Sequence, residues 1–233
     1  MHSTAAPVTA VVIPYVFLPP KNGGHQAGYG LCQALGREVS VLCISSFGNE
    51  PGSYTFQLEH AFQNGMTKYF SPLAAWRCFR ILKSAKVRHC IAQQPFIVPL
   101  LMPVLAVLGI SLLVYAHNIE YRRFRSMDKW WWRIVWLVEF LVYRLAKQVL
   151  FISPEERVAA IAEFGLAPEK CIDVPYGVER KAPPPEPERW AARREVAATH
   201  GFRESERWIL FFGPQNYQPN LEAVLFIAQE LAP

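Results

Sequence analysis

Charge is scarce in this chain of 233 residues: Lys, Arg, Asp and Glu make up 18%, against 52% hydrophobic residues. A composition that apolar excludes a disordered polypeptide and brings membrane contact into question. The net charge of +5 is modest and no nucleic-acid motif accompanies it, which argues against a nucleic-acid partner. Neither Gly-x-Gly-x-x-Gly nor Gly-Lys-Ser/Thr occurs, so the dinucleotide fingerprint and the P-loop are both missing. No Lys or Arg precedes the apolar run Val11 to Val16, and no small-residue cleavage site follows it. No signal peptide is read there. The cysteines, Cys32, Cys43, Cys78, Cys90 and Cys171, are odd in number, widely spaced and set in largely apolar contexts. They read as reduced core residues of a cytosolic protein. The histidines lie far apart and form no pair with the helical spacing of a zinc site, so no metal is expected.

What is present is an alternation of short apolar runs with helical stretches. Val11 to Val16, Val39 to Ser45, His89 to Gln93, Ile110 to Ala116, Val149 to Ile152 and Cys171 to Val174 read as strands. That alternation predicts an α/β fold, a Rossmann-like parallel sheet with helices on both faces. The stretch Phe96 to Tyr115 carries no charge and is about as long as a membrane span. Pro99, Pro103 and the break at Gly109-Ile110-Ser111 divide it instead into a buried helix, Ile97 to Leu108, and a buried strand. Ser153-Pro154-Glu155-Glu156 opens a helix to Phe164, with Ser153 as cap and Glu156 closing a capping box. Past Tyr176-Gly177-Val178 the composition turns to Pro183-Pro184-Pro185-Glu186-Pro187 and a charged, Ala-rich segment, which reads as a linker over 180–207. A strand is expected at Trp208 to Phe212, then a turn at Gly213-Pro214 and a helix from about Asn220 to Leu231. One β-α unit cannot bury its own apolar face, so a first domain over 1–179 and only the start of a truncated second, 208–233, are expected.

Three segments carry candidate chemistry. After the first strand, Pro20-Lys21-Asn22-Gly23-Gly24 leads into a helix with Leu31, Cys32 and Leu35. Glycines at such a turn let backbone N–H groups approach an anion, although a merely tight turn fits as well. The strand ending at Ala116 delivers His117-Asn118-Ile119-Glu120, outside the carboxyl end of a parallel sheet where ligands gather. A neutral imidazole both donates and accepts, which suits a hydroxyl-rich ligand, with Glu120 orienting its neighbours. Alternatively Asn118 caps the next helix and Glu120 pairs with Arg122 or Arg123. Third, at about 100° per residue, Lys129, Arg133, Trp136, Phe140, Arg144 and Lys147 share a helix face, with Trp132 and Tyr143 beside it. Interleaved cations and aromatics suit a helix lying in a membrane interface; a buried helix with outward-reaching charged stems is the alternative. Spanning is disfavoured, since Arg133, Glu139 and Arg144 would each cost about 2.5 to 3.5 kcal/mol near a bilayer centre.

Taken in order, these pieces resemble the retaining nucleotide-sugar glycosyltransferases of family four, which have the GT-B fold of two facing Rossmann-like domains. The resemblance rests on Pro20 to Gly24, on His117-Asn118-Ile119-Glu120-Tyr121-Arg122-Arg123-Phe124, on Ile152 to Glu156, and on Val174-Pro175-Tyr176-Gly177-Val178-Glu179. It continues through Leu210-Phe211-Phe212-Gly213 to Tyr217-Gln218-Pro219-Asn220-Leu221-Glu222-Ala223. It implies transfer of a sugar from a nucleoside diphosphate sugar to an acceptor hydroxyl with retention and without a required metal or other cofactor. His117 would face the sugar as the catalytic residue. Asn22, Gly23, Gly24, Asn118, Glu120 and Gly213 would lie on the substrate and donor side, and Gly177 to Glu179 would close the first domain. With the interfacial reading of Lys129 to Lys147, the expected acceptor is a glycan or lipid-linked glycan, and the expected location is cytoplasmic, peripheral on the inner face of the membrane. An epimerase of the same fold and a non-enzymatic membrane- or partner-binding fragment are the alternatives. The sequence departs from the family in place: Tyr176 stands where Asn is usual, Gln148 where Asp is frequent, and Gln93-Gln94 where acceptor-side residues vary.

Overall fold

The computed structural model describes residues 8–177, 182–213 and 218–231. Val178, Glu179, Pro214 and Tyr217, named above, lie outside the described residues. The chain divides into two compact units, Met1–Val178 and Glu179–Pro233.

The first unit is built on seven parallel strands: β1 (Thr9–Ile13), β2 (Val41–Ser46), β3 (Gln57–Phe62), β4 (His89–Gln93), β5 (Ser111–Ala116), β6 (Gln148–Phe151) and β7 (Cys171–Asp173). They lie in the order β3-β2-β1-β4-β5-β6-β7. Between them run α1 (Gly23–Glu38), α2 (Pro72–Ser84), α3 (Val98–Leu108), α4 (Glu120–Ser126), α5 (Trp132–Leu145) and α6 (Pro154–Phe164). Right-handed crossovers explain which helix covers which face. The step from β1 out to β2 puts α1 on one face, where Cys32 packs with Val11, Ile13, Cys43 and Tyr115. From β3 onward every step runs the other way and puts α2, α3, α5 and α6 on the opposite face, around Val12, Cys78, Leu101, Tyr143 and Phe164. Alternate residues of one strand therefore feed two cores, and the strands read as continuous apolar runs. All five cysteines are buried, unpaired thiols.

The helix ends follow local chemistry. Asn22 caps α1 by accepting from His25 N at 3.0 Å, Ser71 caps α2 from Ala74 N at 3.2 Å, and Ser153 caps α6 from Glu156 N at 3.2 Å. Gly109 and Gly165 end α3 and α6 in the left-handed region, at φ 64° and 59°. The expected capping box closes differently: the Glu156 carboxylate accepts from Ile119 N at 2.7 Å, so α6 is tied to the loop after β5.

Five expectations need correction. The edge strand β3 was not expected; its QLEHAF sequence is half exposed and lacks an apolar run. The helix Lys129 to Lys147 is shorter, Trp132–Leu145, which leaves Lys129 and Lys147 outside it. Its cationic and aromatic residues do not share an exposed face. Trp136 and Phe140 pack against the core while Arg133 and Arg144 face solvent, and the exposed apolar stripe is Ile134, Leu137, Leu141 and Leu145. The buried side carries Val135, Glu139, Val142 and Tyr143, which fixes the rotation of the helix.

The remaining corrections fall in the second unit. Residues read as a linker hold α7 (Glu186–His200), whose Ala, Glu and Arg are good helix formers between Pro185 and a left-handed Gly201. Among the described residues Trp208 to Phe212 pair with no strand, and Leu210 and Phe212 are 90% and 91% exposed. α8 (Gln218–Phe226) follows, continued by one wider turn to Leu231.

Candidate functional site

The strand order changes direction between β1 and β4, and ligands of open parallel sheets gather at the carboxyl ends beside such a switch. The loops after β1, β4 and β5 meet there. On β1's side the chain is held by a buried network the sequence did not announce. Asn49 Oδ1 accepts from Phe17 N at 2.8 Å and Leu18 N at 2.9 Å, and its Nδ2 donates to Ser45 Oγ and Ser46 O. Ser45 Oγ donates in turn to the carbonyls of Ile13 and Tyr15. This fixes the loop that delivers Asn22, Gly23 and Gly24. Because Asn22 spends its side chain on His25 N, the anion-binding capacity of the α1 end rests with the N–H groups of Gly23 and Gly24.

Next along the edge, Tyr15 donates to Gln93 Oε1 at 2.9 Å and stacks on His25. Gln93 is fully buried and its Nε2 has no hydrogen-bond partner among the described residues. Gly28 of α1 lies directly under it; a Cβ there would stand 2.8 Å from Gln93 Oε1.

His117 follows β5 and is 6% exposed. Its Nδ1 lies 3.0 Å from the Tyr176 hydroxyl, and its Nε2 is buried with no partner among the described residues. Burial lowers its pKa to about 4, so the ring is neutral near pH 7. Desolvation also raises the phenols around it, Tyr115 to about 12 and Tyr15 and Tyr176 in the same direction. In the tautomer where the Tyr176 hydroxyl donates to Nδ1, the ring proton sits on Nε2, which has no partner among the described residues. Tyr115 packs against the imidazole at 5.0 Å and donates to Val174 O at 3.0 Å. The residue that departs from the family pattern, Tyr176, is thus the partner that orients His117.

Of the other expected site residues, Asn118 is exposed and caps nothing. Glu120 is 2% exposed and its carboxylate takes the Arg123 guanidinium, Nε at 2.8 Å, so its pairing alternative is the observed one. The N-terminus of α4 is capped from outside by Glu139 of α5, which accepts from Glu120 N and Tyr121 N, both at 2.8 Å, and from the Tyr143 hydroxyl at 3.0 Å. Burial pushes the Glu139 carboxyl up to about 7 against the pull of those three bonds. Gly213 belongs to the second unit, where a Cβ would stand 2.7 Å from Asn220 Nδ2. Tyr15, His25 and Asn49 were missed, and Gln93 was named only as a departure on the acceptor side; the strand order brings the ends of β1 and β2 to the same edge of the sheet as β4 and β5.

Seven parallel strands with helices on both faces, and a glycine-rich turn and a buried neutral histidine at the carboxyl ends of the strands, define a Rossmann-like α/β domain. Residues 23–182 match Glycosyltransferase Family 4, and the chain belongs to that family. No curated protein matches it at a significant level. Among solved structures, Anabaena HepE in complex with UDP-glucose is similar at a TM-score of 0.55 and 13% identity, over 83% of this chain and 50% of that one. The UDP-N-acetylglucosamine 2-epimerase of Rickettsia bellii is similar at 0.52 and 9%, over 85% and 52%. A glycosyltransferase from Rickettsia africae is similar at 0.50 and 14%, over 85% and 50%. At these identities the likeness is one of fold, and the chain spans about half the length of each of these structures.

Proposed function

We propose that the protein transfers a glycosyl group from a nucleoside diphosphate sugar to an acceptor hydroxyl, with retention at the anomeric carbon. The observation that carries this is a pair of buried, unpartnered nitrogens, His117 Nε2 and Gln93 Nε2, at the carboxyl ends of the neighbouring strands β5 and β4. Each such group costs about 1 to 3 kcal/mol until something satisfies it, and sugar hydroxyls are suited to both. In the reaction the bond between the anomeric carbon and the diphosphate oxygen breaks, and the bond to the acceptor oxygen forms. The acceptor proton leaves with the diphosphate. Holding both partners and stabilising the departing diphosphate supply most of the acceleration. Gly23 and Gly24 support the donor phosphates, and the neutral His117 holds a sugar hydroxyl without competing for the transferred proton. The sugar nucleotide is a co-substrate, and no resident cofactor is needed.

We also place the protein on the inner face of a membrane, with a lipid-linked glycan as acceptor. The support is the exposed stripe Ile134, Leu137, Leu141 and Leu145, with Trp130 ahead of it and exposed Lys129, Arg133, Arg144 and Lys147 alongside. Among the described residues no helix is long and apolar enough to cross a membrane.

The test is His117→Ala in the active protein. Turnover should fall about a hundredfold, the scale of a lost transition-state contact, with KM for the sugar nucleotide changed far less. Unchanged turnover overturns the assignment of His117. Conversion of the sugar nucleotide without any acceptor would point to the epimerase reading.

A further inference from the structure

Beyond β3 the chain makes a 3-10 turn, Met66–Phe70, and enters α2. A cavity of about 400 Å³ opens between them, with Gln63, Thr67, Lys68 and Arg77 in its polar wall and Phe70 and Leu73 in its apolar wall. Lys68 is the unusual member: the residue is 8% exposed, and neither a hydrogen bond nor a carboxylate meets its ammonium among the described residues. Its recorded contact is the face of Tyr69, 5.3 Å from the ring centre. Arg77 is also without a carboxylate; its guanidinium lies over Phe47 and reaches Ala61 O at 3.5 Å. The first turn of α2 adds its N-terminal dipole, since Ser71 and Leu73 line the same cavity. Two cations and a helix N-terminus without an anion, beside strongly exposed Phe70 and half-exposed Leu73, describe a receptor for an anion that carries an apolar chain.

We propose that this cavity binds the phosphoryl group of an amphiphilic acceptor, Lys68 and Arg77 taking the phosphate and Phe70 and Leu73 the start of its apolar chain. Tyr69, between the cavity residues Lys68 and Phe70, is near enough to Glu120 and Tyr15 for the charges to act on one another. Burial lowers the Lys68 pKa, and a bound phosphate would restore it. That the occupant is the acceptor rests on the glycosyl-transfer reading. Binding itself does not, and is measured without any sugar nucleotide, so either reading can fail alone.

The experiment titrates the full chain with octyl phosphate below its micelle concentration, with orthophosphate, and with octyl glucoside, by calorimetry. Octyl phosphate should bind at least tenfold more tightly than orthophosphate, and octyl glucoside should not compete. Lys68→Met, which keeps the stem and removes the charge, should weaken octyl phosphate at least tenfold, and Arg77→Met severalfold, with thermal unfolding showing both folded. If Lys68→Met does not fold, Thr67→Trp, which fills the cavity from an exposed position, should abolish binding. Octyl phosphate affinity unchanged in these variants overturns the proposal. So does equal affinity for orthophosphate, which would mean that the apolar wall takes no part, or for octyl glucoside, which would mean that the cations take none.

Discussion

Burial sets the protonation state of His117, and that state can be read in stability as well as in turnover. Its folded pKa, about 4, lies below the ordinary 6.5, so the unfolded chain takes up this proton first. The contribution of His117 should therefore be complete above pH 6.5 and fall by about 3 kcal/mol as the pH drops from 6.5 toward 4. Urea unfolding of wild type and His117→Gln at pH 7 and pH 4.5 checks this; the variant should lose less on acidification. Tyr176 makes a separable contribution. Tyr176→Phe leaves Nδ1 without its partner, and turnover should fall about tenfold while the fold persists, a smaller loss than that of His117 itself. A turnover equal to wild type would mean that another group holds the ring. His117 was legible in the sequence because an apolar run ended on it. Its partner was not: Tyr176 lies 59 residues away in the chain, and the neighbouring Tyr15–Gln93 pair is 78 residues apart, gaps that only the folded sheet closes.

Among the elements, α5 was the hardest to read. A sequence pass places Arg and Trp on one face because their spacing allows it, yet an acidic residue inside the helix, Glu139, decides the rotation. Glu139 points inward because α4 lacks a cap of its own, and the carboxylate supplies two acceptors to its first N–H groups. Glu139→Gln turns an N–H donor toward one of those N–H groups and should cost about 1 to 3 kcal/mol, measured by urea unfolding at pH 8. The wild-type carboxyl, raised to about 7, retains its proton in the folded state after the unfolded chain has released it. Stability should thus decline as the pH rises from 4.5 to 7, a trend opposite to that of His117, and the variant should lack it. The interior strands were legible because a parallel sheet buries both their faces. The edge strand β3 was not, since one side of it meets water, and Trp208 to Phe212 misled because apolar composition does not supply a neighbour to pair with.

At the scale of the whole molecule, the helices are divided unevenly between the two faces of the sheet, with α1 on one and α2, α3, α5 and α6 on the other. The outer side of α5 offers an aliphatic stripe and flanking cations to whatever lies beyond. If that is an anionic bilayer, the protein should co-sediment with vesicles containing acidic phospholipid, weakly with neutral ones, and less as salt rises. Leu137→Asp with Leu141→Asp should abolish retention without altering the unfolding midpoint by more than a small amount, since both side chains already face solvent. Undiminished retention would move the contact elsewhere. Within the same molecule, Gly28 acts as a spacer by having no side chain: α1 rests on the buried amide of Gln93 with no room for a methyl group. Enlarging that single position would disturb the Tyr15–Gln93 bond and tilt the glycine-rich end of α1 relative to His117. The width of the crevice is therefore gauged by a residue that need never touch a substrate.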